Sequence, residues 1–306
     1  MLGASGFIGS WVVRMLRDQG ARLHAVVRDP ARAAALRGTS ADAVTIADLA
    51  RPWAVTEILA EVRPSIVFNL AGYGVDPTEH DPEAMARLNS RLVAELCRAL
   101  AAQPTHGWAG LRLVHVGSAL EYGSVRGSPM EDMPPNPSTS YGRTKLAGTQ
   151  HVIQSGASSG LRSAVARLFT VYGPGEHSGR LLPLLLGAAR AGKRLSLTAG
   201  TQCRDFTYVE DVAEGLLRIG ISTLPPGLVV NLATGQLTSV RAFAETAASV
   251  FGLDPSLLDF GVLPARGDEM FHDRVDVTRL LSILSWRPRI PVAAGIRRTW
   301  EYQRVQ

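Results

Sequence analysis

The chain is poor in cysteine and in lysine, and each scarcity excludes something. Two cysteines, Cys97 and Cys203, among 306 residues cannot build a disulfide framework, so a reducing, cytoplasmic setting is expected. The seven histidines show neither zinc-type spacing nor a His-x-x-x-His pair, so no metal is expected. No apolar run approaches the ~20 residues of a membrane span, and the opening MLGASGFIGS has no basic n-region or cleavage site. Neither a membrane association nor a signal peptide is therefore expected. Lysine occurs only as Lys145 and Lys193, against 30 arginines. The net charge of +5 is scattered rather than gathered into runs, which argues against nucleic acid as a partner and suits an anionic small molecule.

What the sequence does have is alternation. Residues 22–28, 65–70 and 111–116 read as buried strands, and 7–19, 52–62 and 82–102 between them as helices. A helix over 141–159 leads to a strand at 162–168. This order predicts an α/β chain with a parallel, doubly wound sheet. Glycine- and proline-rich turns then divide shorter elements, as in a smaller, loop-rich domain that carries specificity. The expected units are 1–168 and 169–306, with about 205–235, including a strand near 228–232, returning to the main sheet.

Gly3, Gly6 and Gly9 form G-x-x-G-x-x-G running into a helical pattern. Such a turn lets backbone approach a pyrophosphate and presents a helix N-terminus to it, so a dinucleotide is expected along Gly3, Ser5, Gly6, Phe7, Ile8 and Gly9. A turn of this type should follow a strand of about five residues, yet only Met1 and Leu2 precede it; part of the first strand is expected to be missing. The second strand ends in Arg28-Asp29, with Arg32 a helical turn on. Arginine at this place favours a 2′-phosphate and hence NADP, while a solvated Arg28 with Asp29 on the ribose would leave NAD. Asp48, with Leu49 beside it, is placed at the adenine edge, with helix capping as the competing role.

Tyr141-Gly-Arg-Thr-Lys145 sets a tyrosine and a lysine at i and i+4 on one helix face. A phenol titrates near ~10, and a neighbouring ammonium lowers that toward the range useful for proton transfer. One of only two lysines falls at this spacing. Ser118 follows the apolar strand LRLVHVG, which puts its hydroxyl at the C-terminal sheet edge, able to polarise a carbonyl together with Tyr141.

On the segments GASGFIG, NLAG, GSALEYG, YGRTK, RLFTVYGPGE, RDFTYVEDVAEGL and NLATG, the chain resembles an extended short-chain dehydrogenase/reductase. The group it resembles is the nucleotide-sugar epimerases, dehydratases and reductases, with a Rossmann domain and a C-terminal substrate domain. The resemblance implies Ser118, Tyr141 and Lys145 as catalytic residues. It also implies Leu70, Ala71, Gly72 and Asn89 along the cofactor, and a homodimer through helices 82–102 and 141–159. For the substrate it implies Arg204 and Arg266 on a diphosphate, Glu269 on a nucleoside ribose, and Arg180 as a weaker phosphate contact. Thr170 stands where the group usually has an asparagine, which weakens one phosphate contact. Ala119 and Leu120 replace the Asp-Glu pair with which dehydratases move protons, so dehydration is not expected. Asp205 and Asp211 read as structural, bonding loop backbone and capping a helix. The expected activity is NADPH-dependent reduction of an NDP-4-keto-6-deoxyhexose. The rivals are an NAD-dependent 4-epimerase, a reductase of small ketones without a nucleotide, and a non-catalytic NADP-sensing regulator, which the intact Tyr/Lys pair disfavours.

Overall fold

The computed structural model describes residues 1–305 apart from 38–40, 76–77, 105–106, 126 and 266–269. Its first helix, α1 (Phe7–Asp18), starts at extended Gly6 and turns Trp11, Val12 and Val13 inward. Strand β1 (His24–Val27) then pairs in parallel with β2 (Ala43–Ile46), across helix α2 (Pro30–Arg37). After α3 (Ala54–Val62) comes β3 (Val67–Asn69), and after a long helix β4 (Leu113–Ser118).

That long helix has three parts. Asp81 caps α4 (Pro82–Ala86) by accepting from the Glu83 and Ala84 amides. A five-residue π-helical turn, Arg87–Arg91, leads into α5 (Leu92–Ala101). Periodicity predicts the helix but not the wide turn, whose residues are held from outside it. The buried Arg87 guanidinium reaches Glu95 at 2.6 Å and the Ala50 carbonyl at 2.7 Å.

Helix α6 (Ser140–Ser159) is capped by the Thr139 hydroxyl, which accepts from the Gly142 amide, and ends at left-handed Gly160. It delivers β5 (Ser163–Leu168), buried along its whole length. The remaining elements are β6 (Thr170–Tyr172), α7 (Leu181–Ala191), β7 (Leu195–Leu197), β8 (Cys203–Arg204) and β9 (Phe206–Tyr208). They continue with α8 (Val209–Ile221), β10 (Leu228–Leu232), β11 (Thr238–Ser239), α9 (Val240–Phe251), β12 (Leu258–Phe260), α10 (Thr278–Leu284) and α11 (Val292–Val305).

The parallel order is β10-β5-β4-β3 on one side and β1-β2 on the other, and Leu2 joins them. Its amide donates to Phe68, its carbonyl accepts from Leu70, and the Val26 amide donates to Met1. Helices α1 and α8 cover one face, burying Trp11, Val12, Val212 and Leu216 in the largest core cluster; α3, α5 and α6 cover the other. This is the Rossmann architecture, with the glycine turn at the point where strand order reverses. The short later strands pair β6 with β9, β7 with β12 and β8 with β11.

Candidate active site

Gly3 stands at φ +74°, and a Cβ there would lie 2.8 Å from the Ala71 nitrogen and from the Leu70 carbonyl carbon. The phosphate turn is thus pressed onto the end of β3, and Leu70, Ala71 and Gly72 form its opposite wall. A Cβ on Gly9 would meet the Gly3 oxygen at 2.0 Å. Only hydrogen fits, and the absence of side chains leaves a backbone-lined cradle at the N-terminus of α1, where Gly6 is the N-cap and no side chain caps the helix. That chemistry fits a pyrophosphate. Ser5, Phe7 and Ile8 lie in the same turn and first helical residues, and the Ser5 carbonyl accepts from Arg32 at 2.8 Å. Arg32 therefore braces the turn, a role its position a turn after Arg28 did not reveal. Arg28 is exposed at the end of β1, and Asp48 accepts from the Ala50 amide in the loop after β2, next to buried Leu49.

Asn89, in the π turn, is wholly buried. Its side chain accepts from the Tyr73 amide and donates to the Tyr73 carbonyl and to Thr144, tying the loop after β3 to α6.

Ser118 ends β4, and Tyr141 and Lys145 share one face of α6. Burial pushes the Tyr141 phenol well above its ordinary value and the Glu121 carboxylate adds to the rise, while the nearby Ser118 hydroxyl opposes it. Arg180 and Glu79 also act on this phenol, from loops far away in sequence. Lys145 is buried, and its Nζ donates to the Val116 carbonyl at 2.5 Å. Burial pushes the Lys145 amine down to about 8, and Glu121 opposes the fall. The fold thus brings all three expected residues to one place at the C-terminal edge of the sheet.

The expected substrate contacts are more dispersed. Thr170 begins β6, and its amide donates to the Asp205 carbonyl. Arg180 precedes α7 and donates to Glu176 at 3.3 Å. Burial pushes that glutamate up to about 7, against the pull of Arg180. Arg204 lies in β8, opposite Thr238. Arg266 and Glu269 fall outside the described residues. Asp205 accepts from the backbone of Thr234, Gly235 and Gln236, as a loop-holding residue should. Asp211 is structural in another way than expected. It sits inside the first turn of α8, three residues past the N-cap Tyr208, and accepts from the Arg289 and Ile290 amides.

Glu121 is the residue that sequence reasoning missed. It is fully buried, and it holds the Ser118 amide at 2.8 Å and Arg167 at 2.9 Å. The available signal was the acid in GSALEYG, immediately after the two positions where the Asp-Glu pair is missing.

Comparison with known proteins gives the family. Residues 1–233 match the model of the NAD dependent epimerase/dehydratase family. The chain is 31% identical to a dTDP-6-deoxy-L-talose 4-dehydrogenase (NAD(P)(+)) of Kitasatospora kifunensis, over 99% of this chain and 94% of the relative. It is also 31% identical to a UDP-glucose 4-epimerase of Mycolicibacterium smegmatis, over 99% and 97%. Among solved structures, MoeE5 in complex with UDP-glucuronic acid and NAD superposes with a TM-score of 0.85 at 30% identity, over 99% of this chain and 98% of that one. The motifs, the fold and these similarities agree: the chain belongs to the NAD dependent epimerase/dehydratase family.

Proposed function

We propose that the chain reduces the 4-keto group of a nucleotide-activated 6-deoxyhexose with NADPH. The observation that carries this reading is the meeting of Ser118, Tyr141 and Lys145, with apolar Ala119 and Leu120 where a dehydratase has its acids. The turn of Gly3, Gly6 and Gly9, the wall of Leu70, Ala71 and Gly72, and the Lys145 amine would hold the dinucleotide. When bound, NADPH supplies the hydride for the sugar's C4. The Ser118 hydroxyl polarises the carbonyl, and Tyr141 donates a proton to its oxygen, so the ketone becomes a hydroxyl. The Lys145 ammonium favours the phenolate left behind. Arg180 and Arg204, with Arg266, hold the nucleotide's phosphates. The similarity to a deoxysugar 4-dehydrogenase supports this reading.

An NAD-dependent 4-epimerase is the second reading, favoured by the equal identity to a UDP-glucose 4-epimerase. A panel of NDP-4-keto sugars, followed by absorbance of added NADPH, separates the two. Stoichiometric oxidation of the nucleotide is expected; interconversion of NDP-sugars without net oxidation would establish the epimerase instead.

Cofactor choice rests on Arg28. Arg28→Asp replaces a charge-assisted pair by a repulsion and is expected to weaken NADP at least tenfold, with NAD little changed. Titration of parent and variant with both nucleotides checks it, and equal affinities in the parent would contradict the assignment. The protein is further proposed to act in the cytoplasm as a homodimer through α5 and α6; no helix among the described residues is long and apolar enough to cross a membrane. Light scattering at micromolar concentration is expected to give twice the 32.7 kDa chain mass.

A further inference from the structure

We infer that Glu121, braced by Arg167, is a positioning residue for the catalytic set: it fixes the Ser118 backbone and supplies the negative charge that Lys145 faces. One carboxylate oxygen accepts from the Ser118 amide at 2.8 Å, and the other accepts from Arg167 Nε at 2.9 Å. Neither charge has access to water, with Glu121 at 0% exposure and Arg167 at 3%. Arg167 is held in turn over the Tyr122 ring, 4.4 Å from its centroid, and the Tyr122 hydroxyl donates to Asn231 at 2.7 Å. The bracing therefore runs from β4 across β5 to β10. Room for it is built into the sequence, since a Cβ on Gly117 would lie 2.7 Å from Glu121 Oε1.

A buried ion pair is weak evidence for stability, because desolvation offsets the attraction. A polar residue kept beside the reacting groups has another use. The Ser118 hydroxyl accepts from the Leu120 amide at 3.2 Å while Glu121 takes the Ser118 amide, so the short turn after β4 is closed at both ends. A serine on a mobile strand end would not hold a carbonyl oxygen in one place. The charge acts too. The groups facing Lys145 are Glu121, which favours the ammonium, and His115, on which the Lys145 charge acts in turn. Those facing Tyr141 are Glu121 and Glu79, which favour the neutral phenol, and Ser118 and Arg180, which favour the phenolate. Glu121 thus favours a charged Lys145, against the effect of burial, and a protonated Tyr141, along with it; these are the two states that proton donation to a ketone requires.

The proposal rests on the catalytic reading of these three residues, but its test does not use turnover. The chain has two lysines, so lysine labelled with ¹³C at Cε gives two signals, and Lys193→Arg leaves that of Lys145 alone. Its midpoint in the parent is expected near 8. Glu121→Gln keeps an acceptor for the Ser118 amide and removes only the charge, and the midpoint is expected to fall by roughly one unit. That variant leaves Arg167 buried without a counter-charge, which is expected to lower stability. Glu121→Gln combined with Arg167→Met removes both charges; its midpoint is expected between those of the single variant and the parent. A folded variant, single or double, that titrates Lys145 with the parental midpoint overturns the proposal, since a merely structural Glu121 would change stability and not this titration. A parent enzyme that oxidises NADPH with no 4-keto sugar would instead remove the proposed function and leave the titration as informative as before.

Discussion

Tyr141→Phe is expected to lower kcat by roughly 10²–10⁴, the loss associated with a missing general acid. The substitution deletes one hydroxyl and leaves the ring where it packs on the half-buried face of α6. It also leaves Lys145 on the Val116 carbonyl and Ser118 on the Leu120 amide, so the rest of the set keeps its geometry. Substrate affinity should therefore change little, because the proton is transferred only as the hydroxyl forms. Steady-state kcat together with a calorimetric Kd for the nucleotide sugar checks both halves. Parental turnover in the phenylalanine variant would dismiss Tyr141 as the proton donor. Unchanged turnover together with weaker binding would make it a substrate contact only.

Gly9→Ala is expected to cost about 100-fold in dinucleotide affinity, which corresponds to about 2.7 kcal/mol. The added methyl would meet the Gly3 oxygen at 2.0 Å and its carbonyl carbon at 2.9 Å, backbone atoms that no rotamer change removes. The turn cannot retreat, because Gly3 is already pressed on Leu70 and Ala71. Either α1 tilts away or the turn opens, and both take amides from the phosphates. Gly187→Ala is the contrast. That glycine lies exposed within α7, nothing stands within 4 Å of its Cβ position, and the change should stabilise by up to about 1 kcal/mol. Nucleotide titration and thermal unfolding of the two variants measure the difference. Equal nucleotide affinity in both would show that the turn does not hold the pyrophosphate.

The main sheet was legible because its strands carry their own signal. β4 and β5 are apolar runs bounded by helices with clear periodicity, and burial along a parallel strand needs no partner to be read from sequence. The later strands carry no such signal. β8 and β11 are two residues each, and β7 finds β12 more than sixty positions away. Tertiary pairing makes them strands, not local pattern. The site divides the same way. Tyr141 and Lys145 are visible because a helix fixes their relation within five residues. Glu121 depends on Arg167, which is 46 positions away, and Arg32 on the Ser5 carbonyl, which is 27 positions away. Such contacts exist only once the sheet has formed.

The wide turn at Arg87–Arg91 changes how this helix responds to length. A π turn amounts to one residue more than an α-helix needs. Removing a single residue there would close it to ordinary geometry, and the faces before and after it, Met85 on one side and Leu92, Val93 and Leu96 on the other, would keep their directions. The same deletion one turn later would rotate everything beyond it by about 100° and turn a buried stripe toward water. What the harmless deletion would forfeit is the outward swell that carries Asn89 to Tyr73 and Thr144. A shortened helix would therefore still pack its core while losing its hold on the cofactor loop, so that at this one place the chain's length, rather than its side chains, separates folding from function.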